Sequence, residues 1–582
     1  MRQAQESQFA SHDGTRLFYR HWPATGAGPR KAVVLLHRGH EHSARIAHLV
    51  DELDLPDADF FAWDARGNGR SPGPRGDAEG FPTLVRDLDR FVAHIVATSG
   101  IPIEDIAVVA QSVGAVVAAT WAHDYAPRLR ALVLASPAFK VKLYVPFART
   151  GLKLMQALRG NFFVNSYVQP QWLTHDGERI ASYRTDPLIA RPISVRVLLG
   201  LYATAERIVA DAQAIQVPTQ LLVSGADLVV HRGPQDRFYE NLGARIKERH
   251  LLPGFFHDTL GERDRAPAVA KVRAFLQARF AEAHALPSLL DAHRHGASFE
   301  ESERLSWPPE PYSFKDLYWK ATRAGLRFGG TLSEGIRLGL ETGFDSGSTL
   351  DYVYRNEARG KLGIGRLIDR NYINAIGWRG IRVRRVHLRE LLREAAARLR
   401  AADLPVDVLD VAAGHGRYVL EALALEEPRA DRIRLRDFSA LNVERGRALI
   451  AELGASSVAQ FDAGDAFDAA ALAAIDPKPT LAVVSGLYEL FPDNDLVRRS
   501  LSGIAAAVRP GGYLAYTGQP WHPQLEFIAR ALTSHRGGAA WVMRRRSQAE
   551  MDQLVADAGF RKVDMRLDEW GIFTVSLAQR IG

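Results

Sequence analysis

The stretch that most constrains this chain is VVAQSVGAVVAA, residues 108–119, where an apolar run meets a run of small residues at Ser112. The apolar run reads as a buried strand and the small-residue run as a helix. A serine at such a junction, in the pattern small-x-Ser-x-Gly, sits on a sharp strand-to-helix turn. That turn closes only if the positions two residues to either side are nearly free of side chain. Here they are Ala110 and Gly114. Taken by itself the segment is also compatible with a plain turn and a solvated serine, so its meaning depends on its surroundings.

Those surroundings alternate. KAVVLLH (31–37), DFFAWD (59–64) and LRALVLASPAF (129–139) read as buried strands, and PTLVRDLDRFVAHIVA (82–97) carries apolar residues at helical spacing. Strands alternating with helices imply a parallel, doubly wound α/β sheet. A second block of this kind begins at VDVLDVAAGHGRYVLEAL (406–423), a strand, a glycine-bearing turn and a helix. Further strands follow in IRLRDFS (433–439), VAQFDAGDAF (458–467), LAVVSGLYELF (481–491) and VRPGGYLAYTGQ (508–519).

A chain of 582 residues exceeds what one hydrophobic core supports, so two large domains are expected. The boundaries read as a first α/β domain over 1–285 with an inserted cap at about 138–215, then a Pro- and charge-rich linker over 286–313. A helical connector follows over 314–400, expected as two helices and then a helical stretch broken at Gly-Trp-Arg-Gly, and a second α/β domain over 401–582. The basic cluster Arg382, Arg384 and Arg385 reads as a solvated or phosphate-tolerant face.

Lys and Arg total 74 against 67 Asp and Glu, and this net charge of +7 suits anionic ligands or peripheral contact with a membrane surface but is too small to imply nucleic-acid binding. The absence of cysteine excludes disulfides, thiolate metal sites and a cysteine nucleophile. With no signal-peptide core and no run approaching the roughly 18 apolar residues of a spanning helix, a cytoplasmic protein is expected. No metal site is expected at His37, His40 and His42.

Six segments, HRGHEHS (37–43), Asp64 to Ser71, AQSVGA (110–115), THDGERIASYRTDPL (174–188), VPTQLLVSGADLVV (217–230) and PGFFHDTLGE (253–262), occur in an order that resembles α/β-hydrolases of the monoacylglycerol lipase and lysophospholipase type. The resemblance covers about residues 7–282. It implies Ser112 as nucleophile, His257 as base and Asp227 as the acid that orients it, acting on a lipid-like or other hydrophobic ester. It also implies an oxyanion hole from the backbone N–H groups of Gly39 and Val113. The aromatic cap would form an acyl pocket. The chain departs from the family at Arg38, where glycine is usual. Arg38 is expected either to face solvent or to pair with an anionic group of the substrate. A hydrolase-like domain that only holds a lipid chain for its neighbour is the alternative reading.

The second block resembles class I S-adenosylmethionine-dependent methyltransferases, Rossmann-like folds, over about residues 366–582, with RPGG before the fifth strand. Carried over by position, Asp410, Ala412, Gly414 and Gly416 match the glycine-rich first motif, Asp437 the ribose-binding acid, and Asp465 with Phe467 the adenine side. Ala412 stands where glycine is usual. NAD is the rival cofactor, and the motif spacing together with RPGG favours the methyl donor. Tyr488, Glu489 and His522 lie at strand ends, where acceptors bind in open α/β sheets, without an assigned role. The methyl acceptor and the oligomeric state are not legible.

Overall fold

The computed structural model describes residues 2–144, 147–425 and 427–582, and it divides into two compact units, Met1–Pro287 and Ser288–Gly582.

The first unit holds β1 (Gln5–Ala10), β2 (Arg16–Trp22), β3 (Lys31–Leu36), β4 (Ala58–Trp63), β5 (Ile106–Gln111), β6 (Ala131–Ala135), β7 (Phe163–Asn165), β8 (Pro192–Ser194), β9 (Thr219–Ser224) and β10 (Lys247–Leu252). Eight of these form one sheet in the order β1-β2-β4-β3-β5-β6-β9-β10, parallel from β4 to β10, with β1 and β2 antiparallel at one edge. β5 lies near the middle and is buried at every position, which is why its sequence shows no polar alternation. Helix Phe81–Ser99 packs Phe81, Leu84, Leu88, Phe91 and Ile95 inward at helical spacing and ends on Gly100, whose φ of 73° suits glycine.

Between β6 and β9 the chain forms the cap: helices Ala148–Arg159, Gly177–Thr185 and Val195–Ala210, with β7 and β8 as a short antiparallel pair. Phe147, Leu154 and Leu158 of the segment expected to wall an acyl pocket are exposed instead. Helix Ala148–Arg159 buries none of its residues.

The second unit holds β11 (Asp407–Asp410), β12 (Arg432–Asp437), β13 (Ala459–Ala463), β14 (Leu481–Val484), β15 (Tyr513–Gly518), β16 (Phe560–Leu567) and β17 (Thr574–Arg580). The order is β13-β12-β11-β14-β15-β17-β16, all parallel except β17, which runs antiparallel to both neighbours. The order reverses between β12-β11 and β14, the crevice where open α/β sheets bind ligands.

The region expected as a separate connector is part of this unit. It contains helices Phe314–Gly330, Glu334–Thr342, Gly347–Arg355 and Leu362–Ile373, then a continuous helix Ile376–Ala401. The expected break falls just earlier, at Asn374 and Ala375, and Gly-Trp-Arg-Gly itself lies inside the long helix. A Cβ on Gly380 would lie 2.9 Å from the ring of Phe573, so this glycine allows close packing and does not end the helix. Leu388, Leu391, Leu392 and Leu399 enter the same core as Val408 and Ile433 of the sheet. The expected linker likewise contains helix Ala297–Ser306, with Leu305 in that core and Ser298 Oγ accepting from Arg544 Nη1 at 2.9 Å. No helix among the described residues is long and apolar enough to cross a membrane.

Candidate active sites

In the first unit, β5 delivers Ser112 onto the turn before helix Val113–Asp124 with φ 56° and ψ −116°, a left-handed conformation that costs a non-glycine residue about 1–3 kcal/mol. The turn is tight enough that a Cβ on Gly114 would lie 2.5 Å from the carbonyl oxygen of His37. Ser112 Oγ is 2.7 Å from His257 Nε2, and His257 Nδ1 is 2.8 Å from Asp227 Oδ2. Asp227 Oδ1 accepts from the N–H groups of Val229 and Val230 at 2.7 and 2.9 Å. Burial pushes the Asp227 carboxyl up, but its interaction and hydrogen bond with His257 and the two backbone donors outweigh this and hold it below the usual carboxylate range.

Val113 is the first helical residue, so its N–H has no acceptor within the helix. Gly39 lies against it, since a Cβ there would come within 3.0 Å of Val113 Cγ2. The loop carrying Gly39 is fixed by His37, whose Nδ1 is 2.6 Å from the carbonyl of Arg38 while Nε2 accepts from the Ala65 N–H at 3.0 Å. Burial lowers the His37 pKa, which favours the neutral ring these two bonds require. His42 ties the same loop to the cap through Asp186 Oδ2 at 2.9 Å.

Arg38 neither faces solvent nor points an unpaired guanidinium at a substrate. It is buried and donates to both oxygens of Glu41 at 2.5 and 3.1 Å, with Asp258 Oδ1 3.5 Å away. Asp258 in turn accepts from Gln111 Nε2 at 2.6 Å and Arg179 Nη2 at 2.8 Å. Burial opposes the Asp258 charge, yet Arg179 and Arg38 hold its carboxyl well below the usual range. Gln111 precedes Ser112 and Asp258 follows His257, so this cluster braces both. Sequence reading missed it because its members lie far apart in the chain and each is unremarkable alone.

In the second unit, a cavity of about 780 Å³ at the carboxyl ends of the central strands is lined by Ala412, Gly414, Gly416, Asp437, Asp465 and Phe467, six of the seven residues expected to meet a cofactor. Asp410, the seventh, lies beneath it: fully buried, Oδ2 accepting from Tyr418 OH at 2.6 Å and Oδ1 from the Ala412 N–H at 3.3 Å. Burial pushes its pKa up to about 7. It supports the loop from below because β11 ends one residue short of the cavity floor.

Gly414 and Gly416 have φ of 60° and 75°, and a Cβ on Gly416 would lie 2.3 Å from Leu435 Cδ1. Asp437 anchors the loop by accepting from the Gly414 N–H at 2.9 Å. Opposite stand Ser346, Gly347, Ser348 and Asp351 at the start of helix Gly347–Arg355, none of them expected at a site, and Arg384, expected on a solvated or phosphate-tolerant face. A serine- and glycine-rich turn opening a helix was the available signal. Ser348 Oγ, Ser485 Oγ and His415 Nε2 are buried at this wall without a hydrogen-bond partner. Of the basic cluster, Arg384 is buried against Glu489, Arg385 pairs with Glu421, and Arg382 donates to the Ile373 carbonyl. Tyr488 turns into the core and donates to Ser500 Oγ at 3.0 Å.

Fold and sites together define an α/β-hydrolase domain followed in one chain by an α/β methyltransferase-type domain. A family model described as "Serine aminopeptidase, S33" matches residues 27–264, and one described as "Putative methyltransferase" matches residues 272–580. The chain belongs to that methyltransferase family and to the same family as the Escherichia coli K12 protein named "Uncharacterized protein YnbC", with which it is 56% identical over 575 residues, 99% of this chain and 98% of that one. Its hydrolase domain is 27% identical to a monoacylglycerol lipase of Mycolicibacterium smegmatis over 276 residues, 44% of this chain and 91% of the relative. Among solved structures, Paleococcus ferrophilus monoacylglycerol lipase aligns at 22% identity and a TM-score of 0.41, over 45% of this chain and 99% of that one.

Proposed function

We propose that the chain is a bifunctional enzyme, a serine hydrolase of hydrophobic esters joined to an S-adenosylmethionine-dependent methyltransferase. The observation that carries the first half is the unbroken chain of hydrogen bonds from Ser112 through His257 to Asp227. Ser112 Oγ attacks the ester carbonyl as His257 Nε2 takes its proton, and the same imidazole then protonates the leaving alcohol. Asp227 fixes the ring with its proton on Nδ1 and stabilises it when charged. The oxyanion is met by the N–H groups of Gly39 and Val113, each worth on the order of 3 kcal/mol in the transition state. The monoacylglycerol lipase relative supports a lipid-like ester. A fluorophosphonate probe is expected to label the protein, and Ser112→Ala to lose all labelling together with p-nitrophenyl butyrate hydrolysis. Labelling that survives in Ser112→Ala would show a different nucleophile.

For the second half, the residues present fit S-adenosylmethionine: glycines that bring the backbone to the cavity, acids at the ends of β12 and β13, and buried polar atoms without partners. Asp437 would hold the ribose hydroxyls and Asp465 with Phe467 the adenine, as the resemblance implies. When bound, the cofactor supplies an electrophilic methyl group, and the chain's own residues exclude water and position the acceptor. Calorimetry is expected to show one site for S-adenosylmethionine, weakened at least tenfold in Asp437→Ala. Preference for NAD would sink this reading.

A further inference from the structure

A second cavity of about 280 Å³ adjoins the first within the C-terminal unit, and Asp345, Leu350, Arg384, Gly486 and Leu490 line both. Its walls are largely apolar, with the rings of Trp378, Phe527, Trp541 and Phe573 set among aliphatic side chains such as Leu326 and Ile336. It lies beyond the carboxyl ends of β14 and β15, where the chain supplies Glu489, Gln519 and His522. A hydrophobic ligand bound here would lie next to the cavity assigned to the methyl donor.

Several polar atoms in this wall lack the partners that buried groups ordinarily have. Gln519 is 4% exposed and its Nε2 has no hydrogen-bond partner, and Arg384 Nε and Trp541 Nε1 are in the same condition. His522 Nδ1 accepts from the Gln524 N–H at 3.0 Å. Burial pushes its pKa down to about 4, so the ring is neutral and its single proton stands on Nε2, making it a donor and not a base.

Two carboxylates line the cavity, and they differ. Asp345 is saturated by Ser534 Oγ at 2.6 Å, the His535 N–H at 2.6 Å and His535 Nδ1 at 3.1 Å. Glu489 is met by Arg384 Nη1 at 3.3 Å, a long contact, and burial raises its pKa, which makes it the better proton acceptor.

We propose that this cavity is the methyl-acceptor site and that its acceptor is a hydrophobic phenol, whose hydroxyl gives its proton to Glu489 and accepts a hydrogen bond from His522 or Gln519. The proposal rests on the methyltransferase reading. The rings of Trp378, Phe527, Trp541 and Phe573 match an aryl body, and the aliphatic side chains between them an alkyl substituent. A phenol, with a pKa near 10, is within reach of a carboxylate base, whereas an alkyl hydroxyl, close to water at 15.7, is not. A carboxylate acceptor fits less well, because the charge of Arg384 is already balanced by Glu489 and a second anion would face it in an apolar chamber. In the step itself, the phenol oxygen forms a bond to the methyl carbon and the carbon–sulfur bond breaks with its electron pair going to sulfur. The phenolic proton passes to Glu489, leaving an aryl methyl ether and the thioether.

The test uses the full chain with 4-octylphenol, 4-octylanisole and decanoic acid as probes. 4-Octylphenol is expected to change tryptophan emission saturably, through Trp378 and Trp541, and to yield 4-octylanisole when S-adenosylmethionine is added. Glu489→Gln is expected to bind both compounds within threefold of wild type but to lose methylation by at least 10²-fold. Leu326→Trp, which fills the cavity, should weaken phenol binding at least tenfold while leaving calorimetric binding of S-adenosylmethionine unchanged. Methylation of decanoic acid in place of the phenol, full methylation by Glu489→Gln, or no response to the phenol in a protein that binds S-adenosylmethionine would each overturn the proposal. Wild-type protein that responds to the phenol but binds no S-adenosylmethionine would instead overturn the methyltransferase reading and the acceptor role with it.

Discussion

Arg38 stands beside the backbone that is to hold the oxyanion, and its side chain turns away from the reacting atoms into the Glu41 and Asp258 carboxylates. Removing one partner from a buried charge cluster costs more than the cluster contributes net, because the remaining charge stays desolvated. Arg38→Met is therefore expected to lose about 3–5 kcal/mol of stability in the first unit. It should also slow p-nitrophenyl butyrate hydrolysis at least tenfold. The double change Arg38→Met with Glu41→Leu should recover much of the stability, since it leaves no orphaned carboxylate at Glu41. Chemical denaturation of the two variants beside wild type checks this, and an Arg38→Met protein as stable as wild type would show that the cluster does not hold the loop. Asp258 keeps Arg179 and Gln111 in either case, so the loss should stay short of global unfolding.

At the scale of elements, helix Gly347–Arg355 is set against the glycine loop of the second unit. Gly347 Cα is 3.6 Å from where a Cβ on Gly414 would stand, and Asp351 pairs with Arg417 just past that loop and with Arg355 at 3.0 Å. Ser346 caps the helix by accepting from the Thr349 N–H at 3.1 Å. Asp351→Asn leaves Arg417 with only Glu421 at 3.9 Å as counter-charge and loosens this wall, so the dissociation constant for S-adenosylmethionine is expected to rise about tenfold, or 1.4 kcal/mol. Calorimetry checks it, and unchanged affinity would mean that the helix is not part of the site. This wall also marks where the sequence stopped being legible. The buried strands could be read because residues such as those of β5 and β14 are apolar on both faces, and the Ser112 turn because only small residues fit Ala110 and Gly114. Helices between 314 and 400 show only that one face is apolar. What covers that face, here Val408, Ile433 and Phe573, lies from about ten to more than two hundred residues away in the chain and leaves no local trace. Arg38 and Arg384 were opaque for the same reason, since a buried ion pair is defined by the partner and not by the arginine.

For the whole molecule, the two units have separate cores. One is built on β3 to β6 with helix Ala266–Ala281, and the other on the second sheet with helix Ile376–Ala401. Each unit is long enough to bury a core of its own, so a single two-state description should not apply. Each is expected to unfold in its own cooperative transition, and ligands give a means of assigning them. A ligand that binds only one folded unit stabilises that unit by RT ln(1 + [L]/Kd), about 2.7 kcal/mol at a hundredfold excess over Kd. S-adenosylmethionine should therefore raise one calorimetric transition by several degrees and leave the other in place. Fluorophosphonate modification at Ser112 should move only the transition that S-adenosylmethionine leaves alone, and Asp437→Ala should cut the cofactor-dependent shift to about half or less without touching the second peak. A single transition moved by both ligands would mean that the units fold as one cooperative body, and that substitutions at either site must be read as acting on the whole chain.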